Sequence, residues 1–241
     1  AYLRDNQRQS ISIRNINVKQ DIDPLDPAEQ PEYNILNIGY GFSDTNLIDY
    51  LKAGVDYQLA KNFSKVSMTM EYRKLFKNNR QINVRFFAGT FLFNDEADSD
   101  YYSFALDRPT DYLFDYNYYG RSQDSGLFSQ QIILAEGGFK SKLEPAFANQ
   151  WMATTNASTN IWKWIYAYGD LGVVKNEGIS PKFVYDSGIR LSFVADYFEV
   201  FLPVYSNLGW EIGQKGYDEK VRFIVTLDLN TLIRLFTREW Y

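Results

Sequence analysis

The chain has 241 residues and a net charge of −5, and it contains neither histidine nor cysteine. The missing residues remove the commonest general base and the commonest zinc ligand, and they exclude any disulfide or thiolate nucleophile, so no metal or cofactor site is expected. The acidic charge argues against a nucleic-acid partner, because binding to the phosphate backbone requires clustered lysine and arginine.

Apolar and polar residues alternate along most of the chain, which is the period of a strand with two different faces. For example, Leu36, Ile38 and Tyr40 alternate with Asn37 and Gly39. The segments are about 9 to 14 residues long, closer to tilted membrane-crossing strands than to soluble strands of about five or six. In chain order, the predicted strands are 9–19, 33–42, 47–59, 63–73, 81–93, 112–120, 127–138, 149–160, 162–174, 182–194, 197–208 and 219–229.

The connections between these strands differ in length. Residues 20–32, with three prolines, and the acidic residues 94–111 form long connections, whereas residues 43–46 form a short one. Short periplasmic turns and long external loops are typical of outer-membrane barrels. Within the first strand the alternation breaks at Arg14 and Asn15, where a β-bulge is expected.

A transmembrane helix is excluded, because no run of about 18 apolar residues occurs. We therefore expect an all-β fold: a closed antiparallel transmembrane β-barrel of about 12 strands with long external loops, as one domain over residues 1–241. Its surroundings would be the lipopolysaccharide and phospholipid of the cell outer membrane. A soluble β-sandwich or lipocalin-like barrel, with the apolar face inward, is the alternative. The long strands and the glycine-rich, charge-paired polar face favour the membrane barrel.

The N-terminal residues show no signal-peptide pattern. Because a protein must be exported to reach the outer membrane, we expect the chain to be a mature product or the C-terminal part of a longer protein.

Charged residues on the polar strand faces are expected to point into the lumen. Their signs are mixed, whereas a ring of one sign would indicate an ion-selective pore. We therefore favour a lumen braced by ion pairs over a conducting channel. Asp186 and Glu199 lie on neighbouring predicted strands and are expected to approach each other. For these two residues we favour ion pairing over acid–base chemistry. The predicted lumen network is Lys52, Asp56, Glu71, Arg73, Arg85, Asp170, Asp186, Arg190, Glu199, Arg222 and Asp228.

Aromatic residues make up 17% of the chain. Tyrosine and tryptophan suit positions with one apolar and one wet side, such as the aromatic girdles of outer-membrane barrels. Sugar-binding platforms are the alternative for such clusters. The predicted membrane-interface aromatics are Trp151, Trp162, Trp164, Tyr197, Trp210, Trp240 and Tyr241.

Long stretches of the second half resemble a known family. The stretches are FVYDSGIRLSF, DYFEVFLPVYSNLGWEI and KVRFIVTLDLNTLIRLFTREWY. They resemble the C-terminal outer-membrane β-barrel of Bacteroidota gluzincin-type zinc aminopeptidases, over about residues 34–241. The resemblance implies a membrane anchor or scaffold for a peptidase-type module or for a partner protein in the outer membrane or periplasm. That family's zinc site is a His-Glu-x-x-His helix with a distant Glu, so no catalytic residue carries over to this chain.

A looser similarity links the chain to the barrel-assembly and two-partner-secretion superfamily. In that superfamily an Asp-x-Gly strand precedes a Gly-x-Arg strand, here Asp170-Leu171-Gly172 and Gly188-Ile189-Arg190. An external loop with an Arg-Gly motif folds into the lumen there. The corresponding residues 137–142 contain Lys140 and no Arg-Gly pair, which argues against the transport or insertion function that this similarity implies.

Overall fold

The computed structural model of the protein describes residues 6–19, 32–116, 127–194 and 198–225. They form one antiparallel sheet of 11 strands and a separate two-stranded sheet. The predicted antiparallel all-β fold is therefore confirmed. The strands are β1 Gln7–Val18, β2 Tyr33–Thr45, β3 Asp49–Ala60, β4 Phe63–Leu75, β5 Gln81–Asn94, β6 Phe104–Ala105, β7 Phe147–Ala148, β8 Trp151–Trp162, β9 Ile165–Lys175, β10 Lys182–Val194, β11 Phe198–Ser206, β12 Gly209–Trp210 and β13 Arg222–Val225.

Strands adjacent in sequence are also adjacent in the large sheet, except between β5 and β8 and between β12 and β13. Strand β5 pairs with β8, because the chain between them leaves the sheet. Strands β12 and β13 both pair with β11, at its two ends. Among the described residues no pairing joins β1 to β13. The sheet is open there, and the closed barrel is not confirmed.

The predicted strands at 112–120 and 127–138 are wrong for their described residues. Residues 112–116 are turn and irregular, and a short 3₁₀ helix, Leu127–Gln130, is followed by irregular chain. The side chains of Tyr112, Ile132 and Phe139 are nonetheless buried. Their apolar character reflects packing against the sheet and not membership of it.

The described parts of residues 95–150, namely 95–116 and 127–150, are called here the inner segment, and they cover one face of the large sheet, which we call the inner face. Arg14 on β1 forms an ion pair with Asp115 at 2.5 Å, and the Ile132 amide donates to the carbonyl of Phe223 on β13 at 2.8 Å. The inner segment thus contacts both edges of the sheet.

The two ends of the sheet differ. Turns 46–48, 76–80 and 163–164 lie at one end, called the short-turn end, and the inner segment and residues 207–221 lie at the other, the long-loop end. The core packs at the long-loop end, between the inner segment and the inner face. Its largest cluster is Phe87, Phe104, Leu106, Phe139, Leu143, Ala148, Met152, Val174 and Val184.

The expected bulge in β1 is also wrong. The β1–β2 register runs without a shift from Gln7 opposite Asp44 to Val18 opposite Tyr33. The apolar residues change face because the inner face becomes apolar near the long-loop end. There Ile16 lies opposite Ile35, which is fully buried beneath the inner segment.

Candidate functional site

A buried lysine of the inner segment joins it to the sheet. The Nζ atom of Lys140 lies 2.8 Å and 2.7 Å from the two carboxylate oxygens of Asp170 on β9. Asp170 is fully buried and lies directly opposite Asp186 of β10. The ammonium group thus neutralises Asp170 beside a second buried carboxylate, in a place where an unpaired charge would be costly.

Backbone amides of the inner segment bind the second carboxylate. The amide nitrogens of Lys140 and Ser141 donate to one oxygen of Asp186, at 3.0 Å and 2.7 Å. Asn156 on β8 donates to both Asp170 and the Gly137 carbonyl, each at 3.0 Å. We call Lys140, Asp170, Asp186 and Asn156 the latch, because they bind the inner segment to three adjacent strands.

Glycine at position 138 makes this approach possible. Gly138 has a φ of +73°, and a Cβ there would lie 2.4 Å from the Asn156 amide oxygen and 2.9 Å from an Arg85 nitrogen. Only glycine fits this conformation and this contact. The close packing lets Arg85 donate to the Glu136 carbonyl at 2.8 Å.

A cavity of about 230 Å³ lies on the inner face beside the latch. It extends towards the short-turn end, and its wall includes residues of both the sheet and the inner segment. Arg190 forms an ion pair with Glu199, and Arg85 lies 3.9 Å from Glu71. The charged residues that line it are Glu71, Arg73, Arg85, Lys140, Arg190 and Glu199.

The structure places the described members of the predicted lumen network on strands of the large sheet, with a common orientation set by register. Lys52 lies opposite Glu71, which lies opposite Arg85, and Arg190 lies near Glu199. The guanidinium group of Arg222 donates to the Glu219 carbonyl at 2.7 Å. Asp228 lies outside the described residues.

Asp186 and Glu199 do not approach each other as expected. Asp186 lies opposite Ser206, whereas Glu199 lies opposite Ser192, six residues further along β10. At about 3.3 Å per residue the two carboxylates are separated by about 20 Å along the strand. Each has its own cationic or amide partners, so Asp186 and Glu199 form no carboxylate dyad.

Three interactions were missed by reasoning from the sequence. The first is Lys140 with Asp170, and the second is Arg14 with Asp115. The third is Lys65, whose buried ammonium donates to the Tyr102 carbonyl at 2.9 Å and lies 4.6 Å from the centre of the Phe104 ring. All three join the sheet to the inner segment, whose inward fold the sequence pattern did not predict. Burial in this segment raises the pKa of Tyr102 to about 12.

The face opposite the inner segment, called the outer face, is apolar and uncovered. Ile13 on β1, Leu171 on β9 and Phe183 on β10 are 70%, 53% and 54% exposed. Register places them on the same face as other exposed residues of the intervening strands. These are Ile38, Tyr40, Val55, Leu59, Met68, Met70, Ile82 and Leu92.

Two rows of neighbouring aromatic rings lie at opposite ends of this outer face, and only the first of them is stacked. At the short-turn end Trp164 stacks on Phe193, which stacks on Phe198, with ring centres 5.4 Å apart in both pairs. At the long-loop end the row is Phe183, Tyr185, Tyr205 and Trp210.

The other predicted interface aromatics are placed as follows. Trp151 begins β8 at the long-loop end and Trp162 ends it at the short-turn end, and both are exposed. Tyr197, Trp240 and Tyr241 lie outside the described residues.

Within the described ranges, no group of three or more aspartate or glutamate side chains is arranged to hold a metal ion. No described helix is long and apolar enough to cross a membrane. Comparisons of the chain with protein-family models, with curated proteins and with solved structures give no match.

Proposed function

We propose that this chain is an outer-membrane β-barrel that serves as a membrane anchor or scaffold, and that its own inner segment occupies its lumen. The observation that carries this proposal is the difference in polarity between the two faces of the sheet. Its covered inner face holds the polar and charged residues of the latch and the cavity, and its uncovered outer face is apolar from β1 to β11.

The extent of the exposed apolar surface favours lipid over water as its surroundings. The largest contiguous apolar patch of a soluble monomer is typically about 300–600 Å². A soluble lipocalin-like barrel turns its apolar face inward and its polar face to water. Here the exposed isoleucine, leucine, valine, methionine and phenylalanine side chains extend across nine or more neighbouring strands, so the soluble alternative is disfavoured.

The spacing of the two aromatic rows fits the thickness of the membrane. Tyr185 and Phe193 lie on the same strand, β10, eight residues apart. At about 3.3 Å per residue this is about 26 Å along the strand, near the ~25 Å height of the apolar band in outer-membrane barrels, which aromatic girdles flank at both interfaces. The Trp164 row would lie at the periplasmic interface, because short turns are periplasmic in such barrels.

We also propose that the barrel closes between β1 and the edge formed by β11 and β13. In the bilayer no water is present to bind free amide and carbonyl groups, so an open sheet edge is not stable there. The Arg14–Asp115 ion pair and the Ile132–Phe223 hydrogen bond hold both edges against the same inner segment. The two edges are therefore brought towards each other around a common core.

The inner segment favours an anchor over a pore. It fills the long-loop half of the inner face, and the cavity beside the latch is lined by paired charges. The attached module is proposed from the family resemblance alone: a peptidase-type domain outside residues 1–241, or a partner protein in the outer membrane or periplasm.

A second candidate function is a transport or insertion barrel. The observation in its favour is the latch, because Asp170 of the Asp-x-Gly strand binds an inward-folded segment, as the similarity to the barrel-assembly superfamily implies. Lys140 replaces the Arg-Gly motif of that superfamily. If this function is correct, purified chain in vesicles accelerates the folding of a second outer-membrane protein, and a Lys140→Met variant does not.

The proposed function is tested by producing the chain with an export signal in a Gram-negative host. We expect it to fractionate with outer membranes, to resist extraction with sodium carbonate and to dissolve only in detergent. A folded monomer in the aqueous phase without detergent would refute the membrane proposal and support the soluble alternative.

A further inference from the structure

A second cavity, of about 220 Å³, lies at the long-loop end, between the inner segment and residues 207–221. It is separate from the latch cavity and shares no lining residue with it. Its size is below the roughly 300–1,000 Å³ of sites for drug-sized ligands, so its ligand would be small. Four cations line it: Lys142, Lys215, Lys220 and Arg222.

Arg222 is a buried cation in the lining of this cavity. Its residue is only 4% exposed, and its guanidinium group donates to the backbone carbonyl of Glu219 at 2.7 Å. Among the ion pairs of the described residues, none includes Arg222. A guanidinium group has five donors in a fixed planar arrangement, so its contacts with the Glu219 and Val221 carbonyls do not use all of them.

Ser141 also lines this cavity. Ser141 is 4% exposed, and its Oγ atom is buried without a hydrogen-bond partner among the described residues. Its backbone amide is fixed, because it donates to Asp186 at 2.7 Å. A buried hydroxyl group without a partner is uncommon in native proteins, which makes this one a candidate donor to a ligand.

Like charges face each other around this cavity. The Arg108 guanidinium lowers the pKa of the Lys142 ammonium, with smaller contributions from burial and from Arg222. Asp107 lies among these three cations, but burial raises the pKa of its carboxyl group. An anion between Lys142 and Arg222 would relieve this repulsion.

The two carboxylates of the lining do not balance its four cations. Glu211 is already engaged by Lys220 and by the Ser206 hydroxyl. Glu219 is the other carboxylate, which leaves an excess of two positive charges in the lining. Counting the nearby Arg108 and Asp107 does not change this excess.

We propose that this cavity is a binding site for a small oxyanion of the phosphate class, held by the Ser141 hydroxyl, the Lys142 ammonium and the Arg222 guanidinium. Arginine binds phosphate oxygens through two parallel N–H donors, and lysine binds them as a point charge. The site stands on these residues and does not require the membrane function. At an outer-membrane surface the phosphate could come from the lipopolysaccharide or from solution, with the same chemistry.

The test is isothermal titration of the full chain in a neutral detergent with inorganic phosphate. We expect binding, and we expect Ser141→Ala combined with Lys142→Gln to weaken it about tenfold or more, because hydrogen bonds to charged groups are lost. Lys77→Gln, at the short-turn end, is the matched control and should bind phosphate like the parent. Dissociation constants weaker than about 1 mM, or equal constants for the parent and the double variant, would overturn the site.

A second titration distinguishes the two sources of phosphate. The chain saturated with inorganic phosphate is mixed with micelles of phosphorylated lipid A or of its dephosphorylated form. Displacement by the phosphorylated form alone supports a lipopolysaccharide phosphate as ligand. No displacement by either, with phosphate still bound, supports a soluble phosphate. A far-UV circular dichroism spectrum of the double variant that matches the parent excludes misfolding as the cause of weaker binding.

Discussion

The ammonium group of Lys140 binds both carboxylate oxygens of Asp170, at 2.8 Å and 2.7 Å, although the two residues belong to different parts of the fold. Lys140 lies in irregular chain of the inner segment, and Asp170 lies in the middle of β9. The pair is almost fully buried. It is therefore the strongest single candidate for what holds the inner segment against the sheet.

Replacing Lys140 with methionine should destabilise the protein strongly. The substitution keeps a long unbranched side chain, one atom shorter, but leaves Asp170 buried opposite Asp186 without the Lys140 ammonium. Breaking a buried ion pair from one side costs about 3–5 kcal/mol. The loss is measured as the change in the free energy of unfolding, by urea titration of the protein in detergent micelles.

The matched control is Lys74→Met, because Lys74 forms an exposed pair with Asp49 at 4.0 Å. Lys74→Met should lower the free energy of unfolding by at most about 1 kcal/mol. The double variant Lys140→Met with Asp170→Asn should recover part of the stability, since one buried charge is removed. Equal losses for Lys140→Met and Lys74→Met would contradict the role given to the latch.

An arginine on the outer face should impair insertion into lipid. Val55 lies in the middle of β3, and its side chain is 43% exposed. At the midplane of a bilayer Val55→Arg should cost about 2–4 kcal/mol, whereas in a soluble protein such a surface change usually stays within about 0.5 kcal/mol. The free energy of folding into phospholipid vesicles, compared between variant and parent, measures this cost. Ile48→Arg, in a short turn, is the control and should fold like the parent.

Alanine at Gly188 should be poorly tolerated. A Cβ there would lie 2.3 Å from the Leu202 carbonyl oxygen and 2.7 Å from the Tyr168 hydroxyl oxygen. Overpacking of this kind costs about 1–3 kcal/mol. At Gly54, by contrast, the nearest atom to a Cβ is the Tyr40 carbonyl oxygen at 3.6 Å. The midpoint of thermal unfolding should therefore be lower for Gly188→Ala than for Gly54→Ala. Equal midpoints would show that Gly188 does not lie this close to Leu202 and Tyr168.

The full chain should not conduct ions steadily. The inner segment fills the long-loop half of the inner face, and the charges that line the latch cavity are paired. Recording across a planar bilayer should show no stable open level at moderate voltage. A steady conductance would refute the anchor and favour a transport barrel.

Much of the sheet could be predicted from the sequence, because its two faces differ in polarity. Along β3 the residues Leu51, Val55 and Leu59 alternate with Lys52 and Asp56, and the structure pairs these strands in the corresponding register. The bounds of β10, Lys182–Val194, agree with the prediction residue for residue.

The inner segment could not be predicted in this way. Apolar residues such as Tyr112, Ile132 and Phe139 are buried although they lie in turns and irregular chain, which has no fixed period. The same burial makes the inner face apolar near the long-loop end. It reverses the polarity of β1 at Ile16 and produces the false signal of a bulge. The pairing of Lys140 with Asp170 could not be predicted for the same reason, because only tertiary packing brings the two residues together.

The most direct test of the membrane proposal is a cysteine scan along β3, since the parent chain contains no cysteine. Single cysteines at residues 51–59 are labelled with a fluorophore, and the chain is folded into vesicles whose lipids carry a quencher. The proposal predicts strong quenching at Leu51, Ala53, Val55, Tyr57 and Leu59, and weak quenching at the residues between them. Uniformly weak quenching, with outer-face cysteines reacting freely with a water-soluble thiol reagent, would contradict it.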